Sequence, residues 1–308
     1  MKRAILLAAF NLFAVFAVLP PLAPAADTTG YPRPELLLEP ADLTKPTAGK
    51  PLLLAFVDAR DRKAFDKSRL PGACWVDAAA WAKAFDSGMD AEGWGRRIGG
   101  LGIDIGAVSQ VVIYDNSSAK DAARIWWILR YWGVEHACLL NGGWAGWKAA
   151  GGLIEDCQPG APRPKPFQAI PQAKRLASKR QLLDALKDKS LQIVDARSEG
   201  EFCGIDQQTN KHAGAIPGAK HLEWIDLIDK KTRRFKTAAQ IRLLFREAGI
   251  ALQRPTATHC QSGGRAAVMA FAMELMGAPD VSNYYPGWGE WGNADDTPIV
   301  VEPAKARK

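Results

Sequence analysis

Cys260 stands where a cysteine can act. Residues 256–259 read TATH, a short strand pattern, and Cys260 ends it. Gln261, Ser262, Gly263 and Gly264 follow, leading into a helical run that begins near Arg265. In open parallel sheets, function gathers at the carboxyl ends of strands, where the next helix points its amino end. Two glycines let the backbone fold around the sulfur with several N–H groups turned inward. The helix dipole and the Arg265 charge both favour thiolate over thiol. A lone buried cysteine is ordinarily a small hydrophobe. Strand end, glycine loop and adjacent arginine together point instead to a nucleophile. His259 should face away from Cys260, because side chains alternate along a strand.

Two cysteine chemistries use such a cradle. Cysteine phosphatases and arsenate reductases place five residues between Cys and Arg and wrap an oxyanion. Here four residues separate Cys260 from Arg265, and Ala266 follows. The ring is one residue short, which suits a terminal sulfur better than a tetrahedral oxyanion. No Asp general acid is evident nearby. The histidines, His136, His212, His221 and His259, lack metal-ligand spacing.

The elements around the cysteine are written twice. Residues 52–60 read LLLAFVDAR and residues 191–197 read LQIVDAR, buried-strand patterns ending in Asp-Ala-Arg. Leu70-Pro71-Gly72-Ala73 is answered by Ile216-Pro217-Gly218-Ala219, and VVIYD at 111–115 by TATHC at 256–260. Apolar helical runs follow at 122–132 and 266–276, each ended by a glycine, Gly133 and Gly277. Trp144 and Trp147 are matched by Trp288 and Trp291. From the helical runs onward the offset is a constant 144 residues. Recurrence in both halves gives these tryptophans a packing role. Strands alternating with helices indicate α/β units around a mostly parallel sheet. The position equivalent to Cys260 is Asp115, with no thiol and no glycine loop. The N-terminal half is therefore expected to be catalytically silent.

Composition sets outer limits. The chain has 308 residues, 47% hydrophobic and 24% charged, which excludes a disordered or collagen-like chain. The net charge of +7 comes from scattered basic residues, so no nucleic-acid partner is implied. Lys2 and Arg3 precede an apolar run to Leu19, then prolines and Ala23-Pro24-Ala25. That pattern is a secretory signal, residues 1–25, too short for a spanning helix. Its removal implies a periplasmic protein with no membrane span. Five cysteines are too few for a disulfide scaffold, and the odd count leaves one unpaired. Cys74 and Cys138 read as core and Cys157 as exposed. Cys203 is the candidate to resolve Cys260 as a disulfide. Prolines 162, 164 and 166 mark a stiff linker. The expected division is a domain at 26–155, a linker at 156–172 and a catalytic domain at 173–308.

The order of Asp-Ala-Arg, Ile-Pro-Gly-Ala, strand-Cys-loop-helix and Gly-Trp-x-x-Trp resembles a tandem-domain rhodanese, a thiosulfate or mercaptopyruvate sulfurtransferase. The resemblance covers nearly all of the chain after the signal. It implies two three-layer α/β domains, each a mostly parallel sheet flanked by helices, with an inactive N-terminal copy. It implies a persulfide on Cys260, cradled by Gln261, Ser262, Gly263, Gly264 and Arg265. Partners would be a small sulfur donor and a thiol or cyanide acceptor, with a protein sulfur acceptor as a further possibility. No metal or organic cofactor is implied, because cysteine carries the group itself. A non-enzymatic sulfur-carrier or binding module is the alternative from another class. Two departures stand out. Thiosulfate-specialised members carry Lys where this chain has Ser262, and tandem members tend to carry Arg near Glu201. Two basic donor contacts are thus expected to be missing, which favours mercaptopyruvate or another donor. Glu201 is expected to pair with Arg265 and brace the loop. Asp195 and Arg197 are further supporting candidates, and Arg197, Lys211 and His212 could replace the missing charge.

Overall fold

The computed structural model of the protein describes residues 30–44, 53–116 and 118–301. The expected signal at 1–25 lies outside the described residues.

Two parallel sheets organise the chain. The first contains β1 (Leu37–Leu38), β2 (Leu54–Asp58), β3 (Cys74–Trp75), β4 (Gln110–Tyr114) and β5 (Ala137–Leu140), in the order β1-β5-β4-β2-β3. The second contains β6 (Gln192–Asp195), β7 (Lys220–His221), β8 (Thr256–His259) and β9 (Val281–Tyr284), in the order β7-β6-β8-β9. Every pairing is parallel. The interior strands are covered on both faces, so they read as short, continuous buried runs rather than alternating ones. In each half the strand before the loop of interest, β4 or β8, lies inside its sheet. The loop therefore leaves from the centre of the carboxyl edge.

The repeat is held in three dimensions. Helix Lys120–Tyr131 follows β4 and helix Gly264–Leu275 follows β8; both have 12 residues, and they are related by the same offset of 144. Gly133 and Gly277 end them with φ of +97° and +87°, the left-handed stop expected there. Helix Gly264–Leu275 is buried from Ala266 to Leu275. Such a helix must be covered on all sides. Its own sheet covers one face and helix Lys120–Tyr131 packs on another. Trp126 meets Phe271 edge to face with ring centroids 5.0 Å apart. One apolar core accordingly spans both halves, from Trp94 and Trp126 to Phe271 and Phe245.

The proline stretch is extended, as its composition predicts, but it is docked rather than free. The Lys165 N–H donates to the Gly99 carbonyl (2.9 Å) and the Ile170 N–H to that of Trp132 (3.2 Å). Trp144, Trp147, Trp288 and Trp291 are all buried. Among the described residues, no helix is long and apolar enough to cross a membrane.

Candidate active site

The Asp-Ala-Arg motif closes on itself in both halves. Arg197 Nε donates to both Asp195 oxygens (3.0 Å each), and Nη2 donates to Asp195 Oδ2 (2.6 Å) and the Gly214 carbonyl (2.7 Å). Its guanidinium lies 4.1 Å from the Trp288 ring centroid. Arg60 repeats this on Asp58, 4.3 Å from the Trp144 ring. The matching arrangement in the half whose loop carries no cysteine makes the motif a brace between sheet and Gly-Trp turn. Arg197 is buried in that brace and adds no charge to the loop. Lys211 pairs with Asp295, and the His212 carbonyl receives Trp288 Nε1 (3.1 Å). Lys211 and His212 are both exposed.

His259 points into the sheet's buried side, with Nε2 3.4 Å from Asp195 Oδ2. Burial holds its pKa down to about 4 despite that carboxylate, so it is neutral at pH 7. Burial opposes ionisation of Asp195, but His259 and Arg197 hold it at about 2.

Cys260 is 1% exposed and follows β8 directly. Four successive loop carbonyls are held from outside. The Cys260 carbonyl accepts from Trp288 N (2.7 Å) and that of Gln261 from Gly289 N (3.0 Å). Ser262 accepts from Arg124 Nη1 (2.8 Å) and Gly263 from Asn283 Nδ2 (3.0 Å). In a trans peptide the C=O and the next N–H point opposite ways. The N–H groups of 261, 262 and 263 are thereby turned toward the loop's interior. Gly263 takes φ of +78°, and an added Cβ would lie 2.4 Å from the Tyr285 ring. Gln261 is fixed by Asn210, whose Oδ1 accepts from Gln261 Nε2 (2.7 Å).

Glu201 and Arg265 form the expected pair. Arg265 Nη1 donates to Glu201 Oε2 (2.5 Å) and Nη2 to Oε1 (2.8 Å). Ser198 N also donates to Glu201 Oε2 (3.1 Å), so the carboxylate caps its own short helix as well. Burial disfavours the Glu201 anion, but Arg265 outweighs it and keeps the carboxyl below its ordinary range. Arg265 is held protonated against burial, chiefly by Glu201 and further by the charge of Cys260.

One residue was not anticipated. Arg124, on helix Lys120–Tyr131 of the other half, donates through Nη1 to the Ser262 carbonyl and to Tyr285 Oη, both at 2.8 Å. Burial opposes its charge, while Tyr285 and then Cys260 sustain it. The positions of Ser262 and Glu201 carry no basic residue, and Arg124 of the N-terminal half adds a cation beside the loop. The only hint in sequence was a cation inside an apolar helical run, where flanking Ala123, Ile125 and Trp126 are buried.

The N-terminal half carries a carboxylate, Asp115, at the loop position that corresponds to Cys260. Asp115 accepts from the N–H groups of Ala119 (3.1 Å), Asp121 (3.2 Å) and Ala122 (3.3 Å). Burial nevertheless raises its pKa to about 6. The side chain occupies its own anion nest.

No disulfide joins any of the five cysteines. Cys203 is buried beside Phe202 and Ala215. Cys138 is buried, Cys74 is partly so, and burial pushes both thiols up to about 12. Cys157 is exposed. Among the described residues, no group of three or more His, Cys, Asp or Glu is placed to hold a metal. Beside the loop lies a cavity of about 530 Å³, walled by Phe85, Asp86, Gln261, Ser262, Tyr285 and Glu290 among others.

A rhodanese-like domain model matches residues 39–150 and again 178–294. The chain belongs to the rhodanese-like family. It is 31% identical over 276 residues to a thiosulfate sulfurtransferase of Pseudomonas aeruginosa, covering 86% of this chain and 97% of that one. It is also 31% identical over 266 residues to the 3-mercaptopyruvate sulfurtransferase of Homo sapiens, covering 81% and 88%. The crystal structure of YnjE superposes with a TM-score of 0.76 at 24% identity, over 89% of this chain and 70% of that one, a likeness of fold. The rhodanese-like chain is an enzyme of the sulfurtransferase type.

Proposed function

We propose that the mature chain is an exported sulfurtransferase that carries a sulfane sulfur on Cys260. The observation that carries this reading is the contrast between the two loops. One presents inward N–H groups to a buried thiol, and the other fills the same nest with its own carboxylate. The Cys260 thiolate attacks the outer sulfur of the donor and forms an S–S bond. With thiosulfate, the donor's S–S bond breaks and its electron pair leaves with sulfite. With 3-mercaptopyruvate, the C–S bond breaks, and the pair left on carbon takes up a proton as pyruvate forms. The N–H groups of 261–263 hold the terminal sulfur's charge. Cyanide or a thiol then attacks that sulfur, and the Cys260 thiolate departs unchanged. Arg124 is the cation that meets an anionic donor, since its hydrogen bonds go to neutral groups. Arg265 is paired with Glu201 in a fork, so much of its charge toward a phosphate is already offset. That pairing disfavours phosphatase or arsenate reductase chemistry.

Initial rates with thiosulfate and with 3-mercaptopyruvate, each varied against cyanide, test the proposal. Double displacement predicts parallel double-reciprocal lines and loss of turnover in Cys260→Ser. Intersecting lines refute it. Slow turnover with both donors, alongside persulfide uptake from a protein, supports the carrier reading instead. Export predicts a mature chain starting near residue 26 in the periplasmic fraction; an uncleaved cytoplasmic chain contradicts it.

A further inference from the structure

A second basic centre lies at the other end of helix Gly264–Leu275. The buried Glu274 carboxylate accepts from Arg175 Nη1 (2.8 Å) and Nη2 (3.2 Å). Arg130 Nη2 and Arg33 Nη1 approach it at 3.6 and 3.7 Å. These arginines come from three places: the helix of the N-terminal half, the turn after the proline stretch, and the first described segment. Together with Lys174 and Asp280 they line a cavity of about 240 Å³.

The donors there outnumber the acceptors. A guanidinium has five N–H donors and no acceptor. Among the described residues, Arg130 Nε is buried with no hydrogen-bond partner. Its Nη1 takes only the Glu135 backbone carbonyl, and the Glu135 side chain is exposed. Glu35 draws Arg33 Nε outward (3.0 Å), and Glu35 and Asp280 are both exposed at the rim, where water screens them. Burial and the neighbouring Arg175, then Arg33, push Arg130 down to about 10 against the pull of Glu274. Unsatisfied buried donors and crowded like charges are costly. A small oxyanion would satisfy both, since guanidinium forks match its oxygens.

We propose that this junction binds a small divalent oxyanion of the sulfate or phosphate type, joining the N-terminal segment, both halves and the end of the linker. The site is separate from the Cys260 loop. It gives the protein an anion-dependent stability that is independent of turnover.

The test is thermal unfolding of the full mature chain in sodium sulfate or potassium phosphate, against sodium chloride at equal ionic strength. A saturable rise is expected with either oxyanion, about 5 °C at roughly 100 times its Kd. Arg130→Gln should abolish the saturable part. The exposed Lys174→Gln, which is not expected to impair folding, should raise the apparent Kd severalfold. A rise that never saturates is general salt exclusion from the surface and overturns the proposal. So does a saturable rise that is unchanged in Lys174→Gln and in any folded Arg130→Gln. If sulfate and phosphate separate, the one that saturates identifies the ion.

Discussion

Gly287 and Gly143 allow one perturbation to be made in both halves. Their φ values are +59° and +53°. A Cβ at Gly287 would lie 2.2 Å from the Cys260 carbonyl oxygen, and one at Gly143 would lie 2.5 Å from that of Asp115. Alanine in the left-handed region costs about 1–2 kcal/mol. Relieving the overlap requires the neighbouring oxygen to move by about 1 Å. That movement disturbs the bond from Trp288 N (2.7 Å) or from Trp144 N (2.8 Å), worth about 1 kcal/mol. Each variant should therefore lose roughly 2–4 kcal/mol of stability. Activity should not follow the same symmetry. A shift of about 1 Å in the Cys260 peptide can cost about 100-fold in rate, whereas the Asp115 peptide bears no reacting group. The assay is cyanide-dependent turnover of both variants at a temperature where circular dichroism shows them folded, with melts run in parallel. Gly287→Ala should fall about 100-fold in kcat/KM, and Gly143→Ala should stay near wild type. Equal losses of activity in folded Gly143→Ala and Gly287→Ala would refute the division of labour between the halves.

Arg124→Gln removes a charge and two hydrogen bonds at the loop, about 1.5–3 kcal/mol, and should lower kcat/KM for thiosulfate about 10- to 100-fold. Adding Ser262→Lys should restore part of that rate; steady-state kinetics that show no loss in Arg124→Gln would remove Arg124 from donor recognition. In acid, two buried groups oppose each other. His259 binds its proton more readily when unfolded, so its contribution is complete above about 6.5 and is lost as pH falls toward about 4. Asp115 binds its proton more readily when folded, so it adds stability as pH falls from about 6 toward 3.8. Thermal melts across pH 4 to 7 should therefore show a shallow acid limb that steepens in Asp115→Asn and flattens in His259→Gln. Unchanged slopes would contradict this balance. Iodoacetamide should modify Cys157 and Cys260 in the native protein, and Cys74 and Cys138 only after unfolding, as peptide mapping would show. Persulfide formation should place the label on the outer sulfur at Cys260 alone, so that dithiothreitol then releases it from that residue and not from Cys157.

The fold was legible because its signals are local and duplicated. Strand runs such as VVIYD recur in order, the paired alanines and the tryptophans after them sit at one constant offset, and each copy supports the other. Cys260 was legible because strand end, glycines and arginine lie within six residues. The Glu201–Arg265 pair was reachable through the departure of Glu201 from the family pattern. Contacts between the halves were not legible. Arg124 reaches Ser262 across 138 residues of chain, and Arg130 meets Glu274 across a still longer separation. No spacing rule encodes where two packed helices bring their charges together. The roles of Asp195 and Arg197 were open for the opposite reason. Only the matching geometry of Asp58 and Arg60, in the half whose loop has no cysteine, shows them to be a brace.

The most direct measurement is intact mass after exposure to a sulfur donor, followed by an acceptor. Wild type should gain the mass of one sulfur atom with thiosulfate or 3-mercaptopyruvate and lose it on addition of cyanide. Cys260→Ser should gain nothing, and Asp115→Asn should behave as wild type. A gain that persists in Cys260→Ser, or turnover by wild type with no transient gain, would contradict a sulfur carried on Cys260.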